Sequence, residues 1–256
     1  MALLGAAIPF TACSNDVKVN YTLSEDGTHY IVSGVSGNKR ALKSYDVLSE
    51  YAQEEGGELL PVTEIGRGAF MDCTLYRVTL PDSIEVIGAN AFTFCSFSEF
   101  TIPEGVTTIG YGAFGQCTAL TEIVIPESVT SIDSLAFAYC SGLERVTIKG
   151  PVTELPFRAF YNSYSVLSGN LYTSTALVGI SLPATLEKVH VSALDGNFVE
   201  DVYFAGSEEQ WDKLYFYENV KEVNEDGEEV YVEKIVEKSE ALPKNVKIHF
   251  NSTGEE

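Results

Sequence analysis

Residues 87–95 read Ile87-Gly88-Ala89-Asn90-Ala91-Phe92-Thr93-Phe94-Cys95, and residues 109–117 read Ile109-Gly110-Tyr111-Gly112-Ala113-Phe114-Gly115-Gln116-Cys117. The two share Ile-Gly-x-x-Ala-Phe-x-x-Cys. The same pattern stands upstream as Ile65, Gly66, Ala69, Phe70 and Cys73, and downstream as Ile132, Asp133, Ala136, Phe137 and Cys140. The isoleucines are spaced 22, 22 and 23 residues apart. Two degenerate copies follow, one at Leu155, Ala159, Phe160 and Ser163, the other at Val189, Ala193, Leu194 and Asn197. A fixed period in this range is the signature of a solenoid, in which each repeat forms one coil and buries its apolar face on its neighbours.

Each copy has two physical halves. Ile65, Ala69, Phe70 and Cys73 lie at offsets 0, 4, 5 and 8, which predicts a short helical turn. The other half alternates. Val78 and Leu80 match Phe100 and Ile102, Ile123 and Ile125, Val146 and Ile148, Ile180 and Leu182, and Val202 and Phe204. Alternation is the pattern of a strand with one buried face. Pro81, Pro103, Pro126 and Pro183 close these strands, because proline has no N–H to give a ladder.

The motif Leu120-x-x-Ile123-x-Ile125-Pro126-x-x-Val129-x-x-Ile132, with the Gly-x-x-Ala-Phe-x-x-Cys segment, resembles the BspA-type leucine-rich repeat of bacterial surface proteins. The resemblance runs from about Val62 to Phe204. It implies a mainly β solenoid with short helical turns, a right-handed coil of about six 22–23-residue repeats closed by N- and C-terminal caps. It also implies display outside the cell and recognition of a host or bacterial surface protein or glycan. It brings no fixed ligand and no shared site residues.

The organisation expected from this is a signal-like tether at 1–16, an N-terminal cap hairpin and linker at 17–61, repeats at 62–206 and a C-terminal cap at 207–256. The tether ends Phe10-Thr11-Ala12-Cys13, like the end of a bacterial lipoprotein signal, so Cys13 is the candidate lipid-attachment residue. No Lys or Arg precedes it. Either the charged start of the signal lies upstream or the match is accidental. Residues 17–35 read as a hairpin around Asp26-Gly27, and Tyr45–Tyr51 as a short helix. Ser207 and Gln210 form a capping box that opens a helix running to about Tyr217, with Trp211, Leu214 and Tyr215 on its apolar face. A second hairpin surrounds Asp226-Gly227, and Val246, Ile248 and Phe250 mark a last strand.

Sixteen basic residues stand against thirty-seven acidic ones, a net charge of −21. That balance disfavours nucleic acid, whose phosphates need clustered Lys and Arg, and also an anionic membrane surface. A lipid anchor is then the one expected route to a membrane, and the chain is expected to be a monomer. No cofactor or metal is expected. Cys73, Cys95, Cys117 and Cys140 fill one column of the repeat, where later copies carry Ser163 and Asn197. Zinc sites use paired short spacings instead; neighbouring coils lie within the Cα range of a disulfide, but side chains in a parallel ladder point the same way, so the column reads as buried free thiols. His29, His190 and His249 are tied to no cysteine, and no nucleophile elbow, phosphate loop or zinc-binding helix motif is present. The run Asn224–Glu229 lacks the spacing of a calcium loop. No catalytic residue is assigned.

The outward strand positions form two columns. One reads Arg77, Glu99, Glu122, Arg145, Gly179, Asp201; the other reads Thr79, Thr101, Val124, Thr147, Ser181, Tyr203. Arg77 is placed to pair with Glu99, and Arg145 with Glu122. An insertion of about 11 residues follows Ser163, rich in Tyr, Ser, Gly and Asn, the residues of adaptable binding loops. The expected binding site is therefore a wall of Tyr161, Tyr164 and Tyr172 above Gly179 and Ser181. The alternative to a recognition domain is a structural spacer with no ligand of its own.

Overall fold

The structure, a computed structural model, describes residues 17–51, 57–162, 177–224, 226, 228–242 and 245–251. In chain order, the N-terminal part contains β1 (Val17–Leu23), β2 (Tyr30–Gly37), β3 (Ser44–Asp46), β4 (Glu50–Tyr51) and β5 (Leu60–Ile65). The repeats contribute β6 (Arg77–Thr79), β7 (Val86–Ile87), β8 (Thr108–Ile109), β9 (Glu122–Ile125) and β10 (Ser131–Ile132). They continue with β11 (Arg145–Ile148), β12 (Glu154–Leu155), β13 (Gly179–Leu182), β14 (Lys188–His190) and β15 (Asp201–Phe204). The C-terminal part holds α1 (Glu208–Lys213), β16 (Tyr215–Val223), β17 (Glu229–Val236), α2 (Lys238–Ala241) and β18 (Lys247–Phe250).

Strands from successive coils stack in parallel. One wall runs β2-β5-β7-β8-β10, with β1 antiparallel on β2, and a second sheet, β12-β14-β16-β17, follows it. The opposite wall is the five-stranded sheet β18-β15-β13-β11-β9, and β3-β6 forms a separate pair. Between the walls, Ile65, Ile87, Ile109, Ile123, Ile125 and Leu155 are fully buried. The phenyl rings of Phe70, Phe92, Phe114, Phe137 and Phe160 stack from coil to coil, centroids 5.0–5.4 Å apart. One contiguous core results, and burying each such ring stabilises the fold by about 1.5–3 kcal/mol.

The expected helical turn is not helical. Gly68, Asn90, Gly112, Leu135 and Arg158 have φ of 54–63°, and Asp72, Phe94, Gln116 and Tyr139 have φ of 57–66°. A right-handed helix cannot pass through such residues. Backbone N–H groups instead alternate in direction. Gly68, Phe70 and Asp72 donate across to the Ala89, Ala91 and Thr93 carbonyls at 2.8–2.9 Å, while Ala69, Met71 and Cys73 close local turns at 3.1 Å. The repeat offset of four and five therefore reports a turn that hydrogen-bonds to its neighbour like a strand. The glycine at the preceding corner has a steric cause: a Cβ on Gly88 would lie 2.7 Å from the Ile65 carbonyl oxygen of the coil before.

Three more expectations are corrected. Tyr45–Tyr51 is not a helix. It holds β3 and β4, because β3 pairs with β6 and Tyr51 stacks on Tyr21 at 4.4 Å. The capping box at Ser207 is present, but the helix stops at Lys213, where Tyr215 enters the ladder with β14. No strand forms over Phe100–Ile102. There the rings of Phe97 and Phe100 wedge against Phe92 and Phe114, 4.9–6.3 Å between centroids, and isolated backbone bonds replace the ladder.

Candidate functional site

The five-stranded sheet owes its outer face to strict alternation. Ile123, Val146, Ile180 and Val202 point into the core, which turns their neighbours outward. In register, one outer row is Glu122, Arg145, Gly179, Asp201 and Lys247, and the next is Val124, Thr147, Ser181, Tyr203 and His249. Neighbouring strands lie about 4.8 Å apart, so removal of the side chain at Gly179 leaves a gap on the order of 10 Å between the Arg145 and Asp201 backbones.

That gap is a cleft of about 190 Å³ lined by Glu122, Glu144, Arg145, Val146, Thr147, Val178, Gly179, Ser181, Asp201 and Tyr203. Gly179 has no positive φ, and a Cβ there would meet nothing nearer than 4.0 Å. The backbone therefore does not require glycine at this position; what glycine does is open the cleft. Ser181 is buried at 7% exposure, which corrects its expected place on the open face and makes it the floor.

One wall is built by a three-residue arrangement. His249 Nε2 lies 2.8 Å from Asp201 Oδ1, and the His249 ring stacks on Tyr203 at 4.6 Å and 15°. The stack fixes the Tyr203 ring beside the cleft. Sequence reading noted Asp201 and Tyr203 as outward residues but missed His249, because nothing local to Lys247–Phe250 says that this strand docks in parallel on β15. On the other wall Arg145 is exposed, and among the described residues no ion pair engages it, so the expected pairing with Glu122 is not made. Arg77 likewise pairs with Asp46 at 3.6 Å and not with Glu99, since β6 has a ladder partner only on the β3 side.

Tyr161 stands apart from the cleft lining. Its ring sits under the Arg158 guanidinium at 4.3 Å and edge-on to Tyr139 at 5.3 Å. Tyr164, Tyr172 and Cys13 lie outside the described residues. Among the described residues, no cluster of three or more His, Cys, Asp or Glu side chains is arranged to hold a metal ion, and no helix is long and apolar enough to cross a membrane.

The four repeat cysteines are free and buried. Cys95, Cys117 and Cys140 each donate S–H to the Phe carbonyl of the preceding coil, at 3.1–3.3 Å, and Asn197 Nδ2 does the same to Phe160 at 2.6 Å. Burial pushes the Cys73 thiol up to about 11 and that of Cys140 to about 12, and raises Cys95 and Cys117 well above the ordinary value. These groups are poor nucleophiles, since the thiolate is the reactive form.

A family model for the BspA type leucine rich repeat region matches residues 60–167 in six copies. A leucine-rich repeat protein of known structure from Bacteroides capillosus is 32% identical, with 51% of this chain covering 93% of that one at a TM-score of 0.44. The chain belongs to the BspA-type leucine-rich repeat family. Two further structures share the fold of this BspA-type chain. A leucine-rich repeat protein from Bacteroides ovatus is 23% identical, TM-score 0.52, over 76% of this chain and 55% of that one. The pneumococcal vaccine antigen PcpA is 17% identical, TM-score 0.52, over 77% of this chain and 50% of that one. The chain thus spans about half the length of each of these two proteins. No curated protein matches it.

Proposed function

We propose that this BspA-type chain is a non-catalytic recognition domain displayed outside a bacterial cell, binding a surface protein or glycan through the outer face of its five-stranded sheet. The observation that carries this reading is the cleft at Gly179. A spacer needs only repeated, self-satisfied columns, yet the row Glu122, Arg145, Gly179, Asp201, Lys247 changes chemistry at every coil. Its glycine serves no backbone need. Concave sites with a few converging polar groups are where ligands bind. The thiols are shielded and high, and among the described residues no cleft hydroxyl is hydrogen-bonded to a carboxylate or an imidazole, so binding without chemistry is the favoured use.

The test is capture of surface macromolecules from candidate host and bacterial cells, with a glycan array alongside, using the wild-type domain and Gly179→Leu. The expected outcome is a defined ligand bound by wild type and weakened at least tenfold by Gly179→Leu at an unchanged melting temperature. Equal binding by both proteins removes the sheet face from the function.

A further inference from the structure

We propose that the Gly179 cleft is a subsite for a single uncharged pyranose ring of a glycan, stacked on Tyr203. This rests on the reading that the outer sheet face is the recognition surface, and narrows it to a ligand chemistry. Size comes first. At about 190 Å³ the cleft is below the roughly 300–1,000 Å³ of drug-sized sites, and suits one ring more than a peptide segment.

Charge comes next. Glu122, Glu144 and Asp201 line the cleft together with Arg145. A carboxylate-bearing sugar would face three like charges. A lysine or arginine side chain would find carboxylates there, but it offers donors alone and would leave the Arg145 guanidinium, which among the described residues has no partner ion, without an acceptor. A polyol meets neither penalty. Each hydroxyl both donates and accepts, so one ring can accept from Arg145 on one wall and donate to Asp201 on the other. Hydrogen bonds to charged groups are the stronger kind, and they reward a ligand that offers both roles.

The aromatic platform is the third element. His249 covers one face of Tyr203, and hydrogen-bonds to Asp201, so the ring and the carboxylate are oriented as a unit. The edge of Tyr203 overhangs Gly179, with Cε2 4.0 Å from where a Cβ would stand. The C–H face of a pyranose is apolar and weakly positive, and an aromatic face is negative, so a fixed ring beside converging polar groups is the arrangement a sugar requires. Any side chain at position 179 would occupy the place where the sugar sits.

The test is saturation-transfer NMR on the whole chain with methyl glycosides of glucose, galactose, mannose and N-acetylglucosamine, against glucuronic acid and N-acetylneuraminic acid. At least one neutral glycoside is expected to bind, more strongly than either acidic sugar. Gly179→Leu and Tyr203→Leu should each weaken it tenfold or more, while Thr79→Leu, on β6 outside the cleft, leaves it unchanged. Binding of the acidic sugars alone, or neutral binding indifferent to both cleft variants, overturns the assignment. A macromolecular ligand that is lost with Gly179→Leu but survives periodate oxidation of its glycans also overturns the sugar, while leaving recognition at the cleft standing. If no ligand distinguishes Gly179→Leu from wild type, the broader reading falls with it.

Discussion

The turn column and the outer row of the five-stranded sheet pass through the same coils and obey opposite rules. Along the turns, Phe92, Phe114 and Phe137 repeat in kind, bury fully or nearly so and stack within 5.4 Å of one another. Along the sheet, Glu122, Arg145, Gly179 and Asp201 share a register but differ in charge or size from each strand to the next. In a solenoid, identical residues in a column mean that every coil solves the same packing problem. A column that changes is released from packing, and its chemistry is available to a ligand. The two regions should therefore respond very differently to mutation.

The largest difference is expected between Phe137→Ala and Glu122→Ala. The phenylalanine leaves a cavity between two stacked rings, and its loss should cost about 3–5 kcal/mol. The exposed glutamate should change stability by no more than about 0.5 kcal/mol. Urea denaturation of both variants measures this, and comparable losses would erase the distinction between the columns. Gly88→Ala comes next. Its Cβ would press on the backbone of the previous coil, so a loss of more than about 1 kcal/mol is expected in the same assay.

The thiols sharpen the comparison without mutation. Because burial raises Cys73, Cys95, Cys117 and Cys140, each holds little thiolate at pH 8. A thiol reagent should find these four protected in the native chain and titrate all of them in denaturant. Rapid native labelling at Cys117 or Cys140 would mean that the ladder opens readily. If one of the four reacts first it should be Cys73, whose rise to about 11 is smaller than the rise of Cys140 to about 12 and which, among the described residues, makes no S–H bond to a neighbouring coil.

Much of this architecture was legible in the sequence because a repeated column is a repeated measurement. Ala91, Ala113 and Ala136, or Ile87, Ile109 and Ile132, report the same environment several times over. The site was only half legible. Gly179 and Asp201 stood in an outward row by alternation alone, but His249 reaches them through β18, which pairs with β15 across 46 residues of chain that follow no period. The turn conformation was misread for another reason: offsets of four and five suit a helix and also a hydrogen-bonded turn with a left-handed residue at Asn90 or Leu135. Phe97 and Phe100 show a third limit. Phe100 looks like an ordinary apolar strand residue, and only its packing with Phe97 against Phe92 and Phe114 breaks the ladder.

One coil blends the two rules and gives a pH-dependent test. His190 takes the corner position that glycine holds at Gly88 and Gly110, and it is buried edge-on between Phe157 and Tyr217 at 5.1 and 5.0 Å. The Ser192 N–H donates to its Nδ1 at 3.1 Å, which requires the neutral ring at that nitrogen. Burial lowers its pKa, and Asp195, Glu154 and Glu218 offset this only in part. The unfolded chain therefore takes up the proton first as pH falls. Stability from this group is fully present above the unfolded value near 6.5 and is lost as pH drops through 6.5 toward the folded value. Melting temperatures at pH 7.5 and 5 should fall less for His190→Gln than for wild type, and an equal fall would assign the acid sensitivity elsewhere.

The smallest effect is the most pointed, because it makes the Gly88 substitution again where the fold does not forbid it. At Gly179 an added methyl group meets only ordinary contacts, with Asp201 O and Tyr203 Cε2 each 4.0 Å away. The backbone has no positive φ to strain, and the residue lies in β13, where glycine sacrifices more chain entropy on folding than alanine. Gly179→Ala should therefore stabilise the chain by about 0.4–1 kcal/mol, through the unfolded state. A glycine that leaves such a gain unused has a reason other than folding, and here the reason offered is the cleft. The same variant narrows that cleft by one methyl group, so ligand binding should weaken as stability rises. Should Gly179→Ala prove destabilising, the glycine would belong with Gly88 among the packing residues and would no longer point to a ligand.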